Sequence, residues 1–249
     1  MSSVIPQDII FSRRFESKYK ISSYQYHQFK NALVPYMQLD NFTKAGPKNR
    51  YLVRSLYFDT LDYQAYFEKI SGDCNRVKFR IRTYVESVED NPTIRVELKV
   101  RKGVMMEKFG YFVTAAEYKE FMQGWHWTLE NNPVLDEFER NLRLKHLRPK
   151  LLVEYLREGF QSRSRENIRI TFDHQVRSAF SDSLFPGRVF FRRHHPHMII
   201  LEIKHSQEQP DWLRRLVEQH SLKIIANSKY AQGIEVARPD LVTPSWSNG

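Results

Sequence analysis

Four cations recur at every second position in Arg76-Val-Lys-Phe-Arg-Ile-Arg82. Successive side chains of an extended chain point to opposite faces, so Arg76, Lys78, Arg80 and Arg82 share one face of a strand. Val77, Phe79 and Ile81 share the other. At ~3.3–3.4 Å per residue the cations stand about 7 Å apart. A merely solvated face mixes Thr, Gln, Ser and both charge signs, and four like charges in a row are wasteful unless an anion lies along them. The pattern returns in Ile94–Arg101, where Arg95, Glu97, Lys99 and Arg101 oppose Ile94, Val96, Leu98 and Val100. Arg14, Glu16, Lys18 and Lys20 oppose Phe15, Tyr19 and Ile21; later, Glu202 and Lys204 oppose Leu201 and Ile203, and Arg169 opposes Ile168 and Ile170. Several such faces turned toward one another form a cationic channel suited to a chain of phosphates, whose oxygens accept from Arg forks and Lys ammoniums.

The acids on these faces have a spacing of their own. Glu16, Glu97 and Glu202 each precede a lysine by two positions, in Glu16-x-Lys18, Glu97-x-Lys99 and Glu202-x-Lys204. Each pair reads either as a cross-strand ion pair or as a hard-cation site. In the second reading the carboxylate holds Mg²⁺ or Mn²⁺ and the lysine holds a phosphate bound to that metal.

Strands must carry these faces. Period-2 alternation predicts them at Arg14–Ile21, Leu52–Asp59, Arg76–Tyr84, Ile94–Arg101, Lys108–Val113, Leu151–Arg157, Ile168–Asp173 and Met198–Lys204. Helices are expected between them. One follows Ser22 or Ser23 to about Leu33 and stops at Pro35, and one starts at Thr60 and runs through Phe67. Thr114 with Glu117 has capping-box spacing, Asn132-Pro133 opens a helix through Leu142, and Pro210 suits a first turn leading through Val217. Asn41–Asn49, Glu86–Pro92, Gln161–Glu166 and Pro239–Gly249 read as loops or frayed ends by their Gly, Pro, Asn and Ser content. The result is an α+β fold dominated by antiparallel sheet. No linker, repeat period or low-complexity block divides the chain, so residues 1–240 read as a single domain with a frayed tail at 241–249.

Composition bounds the partners. The 249 residues carry 39 Lys+Arg against 29 Asp+Glu, a net charge of +10, which points to an anionic partner. The 17 Phe, 13 Tyr and 4 Trp are enough for a sizeable core. One cysteine, Cys74, excludes an intramolecular disulfide and a Cys-based zinc site. No run reaches the ~18–20 apolar residues of a membrane span, and the start lacks a signal-peptide core, so a soluble cytoplasmic protein is expected. No Gly-rich loop of P-loop spacing is present, so side chains must hold any nucleotide. His194-His195-Pro196-His197 reads as a polar loop rather than a metal site, Cys74 as a turn residue, and Trp125 and Trp127 as packing residues. Nucleic acid is not the expected partner, because the aromatics (Phe15, Tyr19, Phe79) fall on the apolar faces instead of interleaving with exposed cations.

The chain resembles the catalytic domain of vacuolar transporter chaperone (VTC) proteins, the polyphosphate polymerase branch of the triphosphate tunnel metalloenzymes. The resemblance rests on eight segments in order: Arg14-Phe-Glu-Ser-Lys-Tyr19, Ser55-Leu-Tyr-Phe-Asp59, Arg76-Val-Lys-Phe-Arg-Ile-Arg-Thr-Tyr84, Glu97-Leu-Lys99, Glu154-Tyr-Leu-Arg157, Arg169-Ile-Thr-Phe-Asp173, Leu201-Glu-Ile-Lys204 and Ser228-Lys-Tyr230. It implies an antiparallel eight-stranded β-tunnel with flanking helices. It also implies transfer of the γ-phosphoryl group of ATP onto a growing inorganic polyphosphate chain, with Mn²⁺ or Mg²⁺. Lys18, Lys69, Arg80, Arg82, Lys99, Arg157 and Arg169 are then the expected catalytic cations, and Glu16, Arg76, Lys78, Lys108, Lys204 and Lys229 bind substrate. Glu202, with Glu97, is expected to hold the metal. Fungal members carry a phosphate-sensing domain and a membrane module that this sequence does not match, so direct export of product is not expected. The hydrolase branch of the superfamily opens Glu-x-Glu-x-Lys where this chain has Arg14-x-Glu16-x-Lys18. The missing carboxylate would ligate a second metal, which tilts against a simple triphosphatase. That hydrolase and a non-catalytic polyphosphate-binding module remain the alternatives.

Overall fold

The computed structural model describes residues 15–90, 92–103, 105–129, 131–164, 166–205 and 208–241. Arg14 and the tail from residue 242 lie outside them. The first strands are β1 (Phe15–Ser22), β2 (Met37–Leu39), β3 (Tyr51–Asp59), β4 (Asn75–Thr83) and β5 (Ile94–Lys102). The others are β6 (Met105–Val113), β7 (Arg148–Ser162), β8 (Ile168–Phe180), β9 (Arg192–Arg193) and β10 (Met198–His205). The helices are α1 (Ser23–Leu33), α2 (Asn41–Ala45), α3 (Gln64–Ile70), α4 (Ala115–Gly124), α5 (Pro133–Leu144), α6 (Asp211–Gln219) and α7 (Lys229–Ala237). None is long and apolar enough to cross a membrane. The fold is α+β with antiparallel pairing, as expected.

The described residues form two compact units: Arg54–Val153 with Ala179–Phe190, and 15–53 with Glu154–Ser178 and 191–241. In the first, β3, β4, β5 and β6 pair consecutively. Their apolar face is covered by an aromatic cluster, in which Phe121 of α4 stacks on Trp127 at 4.0 Å and Phe138 of α5 meets Phe58, Phe79 and Trp127 edge-on. Each fully buried ring stabilises the unit by about 2–3 kcal/mol relative to exposure. The capping box of α4 is in place, Thr114 accepting from the Glu117 amide while Glu117 accepts from that of Thr114. Trp125 and Trp127 are packing residues: Trp127 is buried and Arg148 lies over the Trp125 ring. Cys74 is exposed.

In the second unit the order is β1-β10-β8-β7, with β2 on β7 and β9 on β8. Its core joins Tyr26, Phe29 and Leu33 of α1 to Tyr19, Ile21, Phe160, Phe172 and Leu201 of the strands, with Leu213 of α6. Each unit thus contributes four main strands, making eight in all. Each set is an open ladder that does not close on itself, where the resemblance leads one to expect closure.

Several boundaries depart from the sequence reading, each for a local reason. Asn41–Asn49 is not a loop but α2 followed by a 3-10 turn at Pro47–Asn49, because the Asp40 carboxylate accepts from the Thr43 amide and caps a helix there. The helix expected from Thr60 begins at Gln64. Tyr63 holds a left-handed conformation (φ 58°), and Asp59 accepts from the amides of Ala65 and Tyr66. β7 runs on to Ser162 and β8 to Phe180, beyond their alternating cores. Phe15, expected on the apolar face, is 63% exposed and stacks on His205. His194-His195-Pro196-His197 is a loop before β10, as expected, but His194 in it is buried, with Nε2 at 3.1 Å from Ser178 Oγ, and burial and the nearby Lys229 push its pKa down to about 3.

Behind the charged face of β7 and β8 lies a buried polar knot. Tyr26 Oη donates to Glu158 Oε2 at 2.6 Å, Lys30 Nζ donates to Glu158 Oε1 at 2.6 Å, and His174 Nε2 is 3.5 Å from the same carboxylate. Burial raises the Glu158 pKa, but the neighbouring His174, Lys30 and Tyr26 outweigh it and bring it from 4.5 to about 2. A carboxyl held down in this way stabilises the fold above its unfolded pKa, and the contribution disappears as pH falls through the folded value. The stabilisation is on the order of 3 kcal/mol. Glu158→Gln is therefore expected to lower the melting temperature at pH 7, and the gap to wild type should close between pH 4.5 and 2. Thermal melts across that range check it. A gap independent of pH would assign the loss to packing.

Candidate functional site

In the first unit the register stacks charged residues into rows across three strands. Arg76 faces Arg101, and Lys78 faces Lys99, which faces Lys108. Arg80 faces Glu97, which faces Gly110; Arg82 faces Arg95, which faces Phe112. Like charges directly opposite one another across a ladder destabilise a sheet. The lone carboxylate in these rows, Glu97, is fully buried and is ringed by cations. Arg80 Nε donates to it at 2.6 Å, Arg82 and Arg95 stand at 3.8 Å, and Lys108 closes on its other oxygen. Three arginines and a lysine against one carboxylate leave a local surplus of positive charge.

The electrostatics follow from that count. Burial raises the Glu97 pKa, but Arg80, Arg82 and Lys108 overcome it and hold the carboxyl well below its ordinary range. Lys108 moves the other way: burial, then repulsion from Arg80 and Arg82, lowers it to about 7 against the pull of Glu97. Its side chain keeps 40% exposure, so water screens part of that effect. Arg80 is fixed further by Tyr57 Oη at 3.1 Å, and Arg82 by Ser55 Oγ at 3.0 Å, both from β3. Arg76 is anchored by the Asp73 carbonyl, and burial together with Arg101 lowers its pKa. Lys69 occupies the last turn of α3, where a cation complements the helix dipole.

The second unit is built differently. Its rows mix the two signs: Glu16 faces Lys204, which faces Arg169, and Lys18 faces Glu202, which faces Thr171. Lys18 lies 2.7 Å from Glu16, Lys204 lies 2.7 Å from Glu202, and Lys18 also donates to the Asn227 carbonyl. Arg157 forks onto Asp173 with bonds of 2.6 and 2.9 Å and reaches to 3.9 Å from Glu202. Lys229, the first residue of α7, meets Asp173 at 2.6 Å and stands over the Tyr155 ring. Arg169 is held by Asp40 at 2.8 Å and by Tyr51. Burial raises the Glu202 pKa, and Lys204, Lys18, Lys229 and Arg157 more than reverse it, so the carboxylate is charged. Asp173 is brought down to about 2 by Arg157 and Lys229 against its burial.

The structure therefore gathers Arg80, Arg82, Glu97 and Lys108 in the first unit, and Lys18, Arg157, Glu202, Lys204 and Lys229 in the second. Arg76, Lys78 and Lys99 extend the first group along β4 and β5, and Glu16 and Arg169 border the second. Sequence reasoning missed Asp173 and Asp40, which aim Arg157, Lys229 and Arg169, and it gave Arg95 no role. Asp173 closes one of the charged motifs, and Asp40 sits just before the misread helix α2.

A divalent cation can be tested against these donors. Among the described residues no three His, Cys, Asp or Glu side chains cluster as a metal cage. Glu202 instead has beside it, one strand over, the Thr171 hydroxyl, a buried oxygen with no hydrogen-bond partner. One carboxylate with a neighbouring hydroxyl suits Mg²⁺ or Mn²⁺, which take their remaining ligands from water and substrate phosphates.

Comparisons with known proteins bear on the fold and the family. No curated protein matches the sequence significantly. Among solved structures, a candidate adenylate cyclase from Bacillus halodurans aligns with a TM-score of 0.50 at 16% identity, over 86% of this chain and 92% of that one. A candidate adenylate cyclase from Vibrio parahaemolyticus aligns at 0.44 with 12% identity, over 88% and 96%. At such identities the first likeness speaks to fold alone. The family described as the VTC domain matches residues 13–238, which span both units and every charged row above, and the chain belongs to that family.

Proposed function

We propose that the protein is a metal-dependent polyphosphate polymerase, transferring the γ-phosphoryl group of ATP onto a growing polyphosphate chain, with residues 1–240 acting as one functional domain. The observation that carries the proposal is the length of the cationic face on β4 and β5. From Arg76 to Arg82 it extends about 20 Å at ~3.3 Å per residue, longer than three phosphates joined through shared oxygens. A triphosphate hydrolase needs no such run, and a polymer does.

Phosphoryl transfer asks mainly for positioning and charge neutralisation. Arg80 and Arg82, braced by Tyr57 and Ser55, present largely buried guanidinium groups to phosphate oxygens, where each contact is stronger than in bulk water. Glu97 acts as the buried counter-ion that keeps these cations aligned, with its carboxylate already engaged by them. Arg157 and Lys229, aimed by Asp173, and Lys18 and Lys204, aimed by Glu16 and Glu202, grip phosphates in the second unit. A Mg²⁺ or Mn²⁺ ion held by Glu202 would neutralise charge on the transferring phosphates. Incubating the purified protein with ATP, Mn²⁺ and short polyphosphate tests the proposal. Chains that lengthen on a gel support it; ATP hydrolysis without lengthening favours the hydrolase, and binding without turnover favours a polyphosphate-binding module.

A further inference from the structure

Arg95 is closely packed, yet its buried Nε has no hydrogen-bond partner. It starts the charged face of β5, in one row between Arg82 of β4 and Phe112 of β6. Its guanidinium lies over the Phe112 ring, 5.0 Å from the centroid. On the same strand β6, Gly110 leaves open the space that the guanidinium occupies. A Cβ built on Gly110 would come within 2.6 Å of Arg95 Nε and 3.0 Å of its Nη2. Gly110 has no left-handed backbone to require a glycine, so the missing side chain serves Arg95.

The cation so accommodated has work left undone. Its side chain is only 14% exposed, and Nε is buried without a hydrogen-bond partner. Glu97, at 3.8 Å, is too far to accept from it and is already served by Arg80 and Lys108. Folded proteins rarely leave a buried donor unpaired, because its desolvation is not offset. Beside Arg82 in the row, a bound anion would give this donor an acceptor at hydrogen-bond distance, where Glu97 Oε1 stands only at ion-pair range.

We infer that Arg95 is a further substrate-binding residue, contributing with Arg82 to a subsite for one phosphoryl group of a condensed phosphate, in a slot that Gly110 keeps open. The inference rests on the reading given under Proposed function. Phe112 supplies the flat surface that fixes the guanidinium plane, and Gly110 lets it lie close to the strand.

The test uses the full chain with Arg95→Ala, Arg95→Lys, Gly110→Ala, Arg82→Ala and the distant control Lys119→Ala on α4. Affinities for tripolyphosphate, long-chain polyphosphate and ATP are measured by calorimetry, and melting temperatures with and without ligand. Arg95→Ala and Gly110→Ala are expected to weaken tripolyphosphate and polyphosphate about tenfold or more, and Arg95→Lys to recover only part of the loss, because an ammonium lacks the guanidinium's planar fork. Loss for ATP as well assigns the subsite to the nucleotide's phosphates; loss for the inorganic chains alone assigns it to the polymer. Gly110→Ala keeps every charge, so weakening there reports the slot itself, and a smaller ligand-induced rise in melting temperature separates binding from fold. If Arg82→Ala weakens binding while Arg95→Ala, Arg95→Lys and Gly110→Ala bind as wild type does, Arg95 is a packing residue and the inference is overturned with the polymerase reading intact. If the wild-type protein binds none of the three ligands, both fall.

Discussion

Glu202→Gln is expected to reduce ATP-dependent polyphosphate synthesis by about 100-fold or more, the usual scale for losing one preorganised electrostatic contact. Binding of polyphosphate should meanwhile stay equal or tighten. The two halves of this prediction pull apart because of where Glu202 sits. It is buried beside Lys204, close to Arg157, and its charge is sustained also by Lys18 and Lys229. The amide keeps the shape and removes the negative charge with which Glu202 would hold a divalent cation. The lysines and arginines that remain lose a counter-ion, so their attraction for an anionic chain grows. Removing one partner from a buried ion pair costs about 3–5 kcal/mol, so melting temperatures with and without polyphosphate belong in the experiment. Recovery of stability when polyphosphate is added, with turnover still absent at saturating Mn²⁺, is the expected outcome. Turnover equal to wild type would leave Glu202 as nothing more than the partner of Lys204.

Much of this arrangement is legible in the alternation of residues. Strand direction, the charged faces of β4, β5 and β10, and the capped helices α1, α4 and α5 follow from period, caps and Pro placement. The aromatic packing in the first unit follows from the same periodicity. What is not legible depends on partners far away in sequence. Asp173 and Arg157 are separated by 16 positions, Arg169 and Asp40 by 129, and only the folded chain brings each pair together. α7 escapes a periodicity reading because Gln232 and Gly233 interrupt its apolar pattern; Ser228 caps it through the Ala231 amide. The role of Arg95 depends on register, since only pairing β5 with β6 shows that Gly110 stands next to Arg95 and not somewhere empty. A one-residue slip would turn every one of these side chains to the other face.

Arg82→Lys separates a phosphate grip from general basicity. Arg82 is buried, donates from Nε to Ser55 Oγ, and lies 3.8 Å from Glu97. Nε is committed to Ser55, and two parallel bonds from a guanidinium to one phosphate need the planar fork. Lysine keeps the charge but loses both the fork and the brace to Ser55. A hydrogen bond to a charged group contributes about 1.5–3 kcal/mol, equivalent to a factor of about 10–150 in rate. Arg82→Lys is therefore expected to lower turnover at least about tenfold, Arg82→Ala further still, and Lys119→Ala on the exposed face of α4 not at all. A protein that merely attracts polyanions behaves otherwise, because its affinity follows summed charge and counterion release. There Arg82→Lys would be silent, and Arg82→Ala would cost no more than Lys119→Ala. ATP turnover and polyphosphate affinity at two salt concentrations decide between them. For the polymerase reading the Arg82→Lys defect should persist at high salt, since it comes from lost geometry and not from lost charge. Equal effects for Arg82→Ala and Lys119→Ala would remove the β4–β5 face from the site.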